Sequence, residues 1–442
     1  MRLSIIGAGY VGLVTAVCFA ERGYPVTLAD HDPEKVRMVN QVVPPFYEID
    51  LEDLLKRSIH SGRLRATLSC DDAVLNSDAT FISVGTPSRP NGSIDLTHVN
   101  DSSMEIGKAL RRKRDYHLVA VRSTVVPGTT ENLVSTAIER ESGKKTGRDF
   151  GLVMQPEFLR QGSAVYDTMN PDRIVIGEYD AKSGMALLNL YRVFFEGKLP
   201  PTLRVNLASA EMIKYASNAF LATRISFINE IAEICESVPG VDVVSVAQGM
   251  GLDQRIGKRF LQAGAGFGGS CFPKDLKALV SFAKTSRCKA RILKTVLEVN
   301  VDQAIHVVKL AKRKLHSLRG KRVAILGLSF KPGTDDLREA PSLRIIGQLL
   351  REGADVVAYD PVAVTNAKKI LGRRIAYADS ARSCLENADA ALVVTEWDEF
   401  RELGPADFKK LMRRPIVVDA RRLYAPATYR PDTAFSAIGL GL

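Results

Sequence analysis

The chain has 442 residues, 45% hydrophobic and 25% charged, with a formal net charge of +11. That length exceeds what one core supports, so about two or three domains are expected, and the balanced composition excludes a disordered or low-complexity chain. No stretch approaches the roughly 18 uninterrupted apolar residues of a membrane span, and the basic runs at 111–115 and 312–322 lack the interleaved aromatics of a single-strand-binding surface. The excess charge therefore reads as solvated faces plus a phosphate-bearing small ligand, with neither nucleic acid nor membrane as partner.

The N-terminus, "MRLSIIGAGYVGLVTAVCFAERG", has the basic start, apolar run and small residues of a signal peptide. Gly7, Gly9 and Gly12 decide otherwise, because glycines at that spacing serve a phosphate loop between a strand and a helix. Downstream, "RLSIIG", "PVTLAD", "ATFISVG", "HLVAVRST" and "FGLVMQPE" alternate with helical stretches, which predicts a parallel sheet with crossover helices. Residues 208–311 change to long-helix periodicity, and a second alternating series follows in "KRVAILGLSFKPGTDD", "DVVAYDP", "AALVVTEW" and "PIVVDAR".

The expected fold is α/β: two doubly wound Rossmann-like domains (1–207 and 312–442) joined by a long central helix and a helical dimerisation region (208–311). An exposed apolar stripe on that helix predicts a dimer as its cover. The six cysteines form no CxxC pair or Cys/His cluster, which predicts reduced thiols in a cytoplasm and no metal.

"GAGYVG" follows a strand, and Asp30 ends the next strand about 20 residues later. Gly7 permits the tight turn, Gly9 lets backbone N–H groups approach a pyrophosphate, and Gly12 lets the helix pack on the strand; the helix N-terminus favours the anion. Asp30 would accept from the adenosine ribose hydroxyls and repel a 2′-phosphate, so the cofactor expected is NAD, although Lys35 is a cation able to meet a 2′-phosphate. The alternative is a structural turn followed by a strand-end acid. The second series has Gly327 but no such fingerprint, so no second dinucleotide is expected; Lys331 there is either a phosphate contact or an ordinary loop lysine.

Cys271 lies on the glycine-rich loop "GAGFGGSCFPKDL". Gly264, Gly266, Gly268 and Gly269 would let a ligand approach the main chain, and Pro273 marks the first turn of a helix behind the cysteine. A helix N-terminus and Lys274 both favour the thiolate, the form that attacks carbonyl carbon; the alternative is a buried, inert cysteine. On the long helix, Lys214 and Asn218 project from one face with Glu211 a turn earlier. Such a pair holds an oxyanion or orients a water, or else belongs to a solvated face.

In order along the chain, "GAGYVG", "SVGTPS", "STVVPGTT", "QPEFLRQG", "EMIKYASNAFLATRISFINE", "GAGFGGSCFPKD", "GLSFKPGTDDLREAPS" and "DARR" make it resemble the UDP-glucose 6-dehydrogenase family, within the UDP-glucose/GDP-mannose dehydrogenases. The resemblance implies two successive oxidations of the sugar C6 alcohol with two NAD, through a Cys271 thiohemiacetal and thioester, giving UDP-glucuronate. By motif it implies Lys214 and Asn218 at the oxyanion, Asp275 placing a water, Glu157 in proton transfer during hydrolysis and Thr124 holding an active-site water. To the NAD site it adds Tyr10, Val11, Lys35, Gly85, Thr86, Thr124 and Arg338. For the UDP-sugar it implies Glu157, Phe158, Leu159, Arg160, Lys214, Asn218, Arg255, Phe260, Gly268, Phe272, Lys331 and Arg421, with Arg255 reaching across a dimer. The chain departs from the family pattern at Gln155, where Asn is usual, and at Ala420 and Arg422, where Gly and Asn are usual. Rival expectations are the same chemistry on GDP-mannose or a UDP-N-acetylhexosamine, a two-electron hydroxy-acid dehydrogenase, and a non-catalytic NAD-binding regulator.

Overall fold

A computed structural model describes residues 1–441. The chain forms two compact units, Met1–Ser217 with Lys277–Thr285, and Asn218–Leu276 with the remainder from Ser286 onward.

The first unit is built on strands β1 (Leu3–Ile6), β2 (Val26–Ala29), β3 (Leu64–Thr67), β4 (Ala79–Ile82), β5 (His117–Val121), β6 (Phe150–Met154), β7 (Ile174–Glu178) and β8 (Thr202–Asn206), in the order β3-β2-β1-β4-β5-β6-β7-β8. Strands β1, β4, β5 and β6 are buried along their whole length. That is why they read as continuous apolar runs, helices covering both faces of a parallel sheet. The chain order reverses between β1 and β4, and ligands of doubly wound sheets bind at the C-terminal ends of the strands there.

Not all of this sheet is parallel. β6 and β7 run antiparallel, pairing Val153 with Glu178 and Met154 with Gly177, and β8 then runs parallel to β7. Pro156, two residues beyond β6, has no N–H to extend a ladder. The chain leaves through the helix Ala164–Met169 and re-enters in the opposite direction. β3 and β8 escaped sequence reading because they lie at the sheet edges, β3 alternating buried with exposed or half-buried residues and β8 having only half-buried and exposed ones.

The second unit repeats the winding with β9 (Arg322–Leu326), β10 (Asp355–Tyr359), β11 (Ala376–Tyr377), β12 (Ala390–Val393), β13 (Ile416–Asp419) and β14 (Ala434–Ala437), all parallel, in the order β11-β10-β9-β12-β13-β14. One helix, Leu207–Glu236, joins the units. Its second half packs Ile228, Ala232 and Cys235 into one core with Val307, Val308 and Ala311 of the helix Arg291–Leu315 and with Val323 and Ile325 of β9. Phe220, Phe227 and Ile234 recur at seven-residue spacing on the same helix and are 62%, 47% and 57% exposed.

Candidate active site

In the first unit, β1 ends in the glycine turn. Gly7 adopts φ +106°, and a side-chain carbon there would lie 2.8 Å from the Ser83 carbonyl oxygen. One at Gly12 would fall 1.8 Å from the Gly7 carbonyl oxygen, so both positions are closed to larger residues. Gly9, which caps the helix Tyr10–Glu21, and Gly85 would meet nothing within 4 Å, leaving main chain open beside a helix N-terminus. Asp30 accepts from the Ala8 N–H at 2.6 Å and the Asp32 N–H at 2.9 Å. It thereby ties β2 to the turn and keeps lone pairs for ribose hydroxyls. This turn, cradle and acid fit an NAD adenosine and pyrophosphate.

Around them, Val11 is half-buried in the first turn of the helix, and Thr86 donates to the Thr124 carbonyl at 3.0 Å. Lys35 stands 3.8 Å from Asp32, its own helix cap. The Tyr10 hydroxyl donates to Glu48, which also accepts from the N–H groups of Gly162 at 2.6 Å and Ala164 at 2.7 Å. Glu48 carries no motif signal, and only the fold reveals that it holds Tyr10 against the 160–164 turn.

Lys214 and Glu157 form a buried ion pair at 3.0 Å, and Glu157 also accepts from the Leu159 N–H at 2.6 Å. Burial alone would push the Glu157 carboxyl up; Lys214, the Leu159 amide and Arg122 outweigh it and hold the group below the usual carboxylate range. The Phe158 ring lies 3.9 Å from the Arg173 guanidinium and 5.4 Å from the Lys214 ammonium. Arg160 is bound to Asp167 through Nε and Nη2. Glu211 accepts from the N–H groups of Gly128 and Thr130 and from the Thr130 hydroxyl, fastening the turn after Thr124.

In the second unit, Cys271 immediately precedes the helix Phe272–Thr285, and its carbonyl accepts the Asp275 N–H at 2.8 Å. The helix start expected behind the cysteine is therefore present. The thiol is half-buried, 3.6 Å from the Ser270 hydroxyl. Asp275 is 1% exposed and takes one carboxylate oxygen to Asn218 Nδ2 at 2.6 Å and the other to Lys274 Nζ at 2.6 Å. Lys274 is paired with Asp275, while the Arg338 guanidinium and the helix N-terminus both act on Cys271.

Three of the loop glycines are closed to larger residues by their protein neighbours. A side-chain carbon on Gly268 would lie 2.6 Å from the Glu339 carbonyl, one on Gly269 would lie 2.9 Å from the Phe330 ring, and one on Gly266 would lie 2.7 Å from Asn300. The main chain of the cysteine loop is pressed on the 330–340 segment, where the Gly269 N–H donates to the Arg338 carbonyl at 2.8 Å. Phe272 sits 6.4 Å from Phe260 and 6.0 Å from Phe267, and Lys331 lies 5.9 Å from the Phe330 ring. Arg338 is bidentate on Asp336, Arg255 is bidentate on Asp253, and Arg421 donates to the Val394 carbonyl at 2.6 Å.

Three family models match the chain: the UDP-glucose/GDP-mannose dehydrogenase family NAD binding domain over residues 1–195, its central domain over 208–302 and its UDP binding domain over 324–426. UDP-glucose 6-dehydrogenase AglM of Haloferax volcanii is 46% identical over 96% of this chain and 97% of its own. UDP-glucose 6-dehydrogenase TuaD of Bacillus subtilis is 43% identical over 96% and 90%. The solved UDP-glucose dehydrogenase of Pyrobaculum islandicum is 40% identical, with TM-score 0.92 over 100% of this chain and 98% of that one. With its glycine turn, buried lysine–glutamate pair and cysteine-led helix, the chain belongs to the UDP-glucose/GDP-mannose dehydrogenase family.

Proposed function

We propose that the protein oxidises UDP-glucose at C6 to UDP-glucuronate with two NAD, through a thioester on Cys271. The observation that carries this is Cys271 at the head of a helix whose Asp275 is bonded to Asn218, because a thiol, a placed carboxylate and an amide are what an aldehyde-to-acid step requires. NAD supplies the acceptor for the two hydrides that leave C6.

In the first step the C6 alcohol loses a hydride and a proton. The Cys271 sulfur then adds to the aldehyde carbon, and the oxygen takes a proton, giving a tetrahedral thiohemiacetal with a hydrogen on C6. Loss of that hydrogen as hydride and of the hydroxyl proton leaves the thioester. Water then adds to the thioester carbon, the Cys271 sulfur departs with a proton, and the carboxylate is released. Lys214 and Asn218, one turn apart on one helix, stabilise the oxyanion. Asp275 and Thr124 orient water, and Glu157, held as a carboxylate by Lys214, takes the proton from the attacking water. Phe158, Leu159, Arg160, Arg255, Phe260, Gly268, Phe272, Lys331 and Arg421 are assigned to the UDP-sugar.

The exposed Phe220, Phe227 and Ile234 support a homodimer covering this face, with the exposed Arg255 acting in the partner's site. The six free thiols suit a reducing cytoplasm. A panel of UDP-glucose, GDP-mannose, UDP-N-acetylhexosamines and hydroxy acids with NAD tests the proposal. Two NADH per UDP-glucose supports it; one NADH per hydroxy acid, or none with any compound, contradicts it.

A further inference from the structure

Arg122 follows the last residue of β5 and is 5% exposed. Its Nη1 donates to the Gln155 side-chain oxygen and lies 3.4 Å from the Tyr191 hydroxyl, while its Nε is buried without a hydrogen-bond partner. Among the described residues it makes no ion pair of its own. A buried guanidinium without an adjoining carboxylate is costly unless some other charge compensates it. Two residues after Gln155 comes Glu157, also buried, already paired with Lys214. The Arg122 charge acts on this same carboxylate. Gln155, 5% exposed, in turn donates from Nε2 to the Pro156 carbonyl at 3.4 Å, so the segment leading into Glu157 is pegged to the guanidinium.

We propose that Arg122 is a positioning residue of the reaction: anchored through Gln155, it holds the 155–157 segment and places a second positive charge on the side of Glu157. This rests on the proposed role of Glu157 in thioester hydrolysis. Of the groups gathered here Glu157 is the carboxylate, held below the usual carboxylate range. Lys214 and Arg173 are cations. The Tyr191 hydroxyl is pushed up by burial and the Cys18 thiol is pushed up to about 12 by burial, so both stay neutral. Removing the Arg122 charge leaves Lys214 as the cation paired with Glu157, and the carboxyl takes up its proton at higher pH.

The test is kcat against pH at saturating UDP-glucose and NAD for the native protein, Arg122→Met, Arg122→Lys and Glu157→Gln. Arg122→Met is expected to move the acid limb up by about 1 pH unit and to lower kcat, with KM for UDP-glucose little changed; Arg122→Lys restores the limb, and Glu157→Gln removes it. A merely structural arginine would lower Tm in Arg122→Met and leave the limb in place, which overturns the proposal while the Glu157 role stands. An acid limb that survives in Glu157→Gln overturns the Glu157 role and the proposal with it. Should Arg122→Met fail to fold, Gln155→Leu keeps the charge and removes the anchor: kcat several-fold lower supports the proposal, and native kcat overturns it.

Discussion

Asn218 donates its side-chain amide to Asp275 at 2.6 Å, in a bond buried from solvent. It fixes a residue of the long helix to the fourth residue after Cys271, so the amide, the carboxylate and the thiol share one frame. Asp275→Asn keeps the volume and removes the charge that balances Lys274. Turnover is expected to fall about a hundredfold or more, the scale of a lost preorganised group, with NADH release as the measurement. Native turnover would remove Asp275 from the mechanism.

Lys214→Ala removes an oxyanion donor and also strands Glu157 as a buried unpaired charge. Turnover is expected to drop about a hundredfold or more, and stability by about 3–5 kcal/mol in denaturant titration. Lys214→Met combined with Glu157→Gln should recover much of the stability and none of the turnover. A double variant as unstable as the single one would argue that the pair does not account for the loss.

Glu157 makes acid sensitivity follow a definite sign. Its carboxyl is held below the usual range in the folded chain, with Lys214 outweighing burial. It therefore contributes stability above the unfolded carboxyl pKa of about 4.3 and loses it as pH falls through the lower folded value. Glu157→Gln should unfold with a shallower dependence on pH in that acid window. An unchanged slope between native and variant would show that the pair carries no such linkage.

Gly9 and Gly12 separate cofactor binding from folding. Gly9→Ala adds a methyl where nothing lies within 4 Å, so Tm should hold within a few degrees while NAD affinity falls at least tenfold; Gly12→Ala puts it 1.8 Å from the Gly7 carbonyl and should destabilise the whole unit. Calorimetry and NAD titration read both. Native NAD affinity in Gly9→Ala would mean the pyrophosphate does not use this cradle.

Asp30→Ser should narrow the preference for NAD over NADP by about 1–3 kcal/mol, measured as the ratio of catalytic efficiencies. Because Asp30 also holds the Ala8 amide, some loss of Tm is expected with it. An unchanged ratio would leave Asp30 as a structural tie of the turn.

Much of this architecture is legible in the chain because buried parallel strands need continuous apolar runs and a glycine turn needs fixed spacing. The β1 to helix turn, Asp30 and the helix behind Cys271 all follow from such local rules. The antiparallel β7 was not legible, since strand direction depends on where Pro156 and the helix Ala164–Met169 send the chain. Likewise Lys214 with Glu157, and Glu211 with Gly128 and Thr130, are contacts across more than fifty residues that periodicity cannot specify. The cysteine-loop glycines were legible as special positions, but whether they face a ligand or Phe330 and Glu339 is decided by packing alone.

The most direct measurement is hydride stoichiometry and intact mass for Cys271→Ser with UDP-glucose and NAD. The first hydride needs only a bound alcohol and a proton acceptor, and so should still leave. The second should stall or slow greatly, because a serine hydroxyl is a poorer nucleophile near neutral pH and its ester hydrolyses more slowly than a thioester. The account predicts fewer than two NADH per sugar on the native time scale and a covalent sugar adduct in the denatured protein. Two NADH per sugar at near-native rate, with no adduct, would contradict it and require a hydrate in place of the thiohemiacetal.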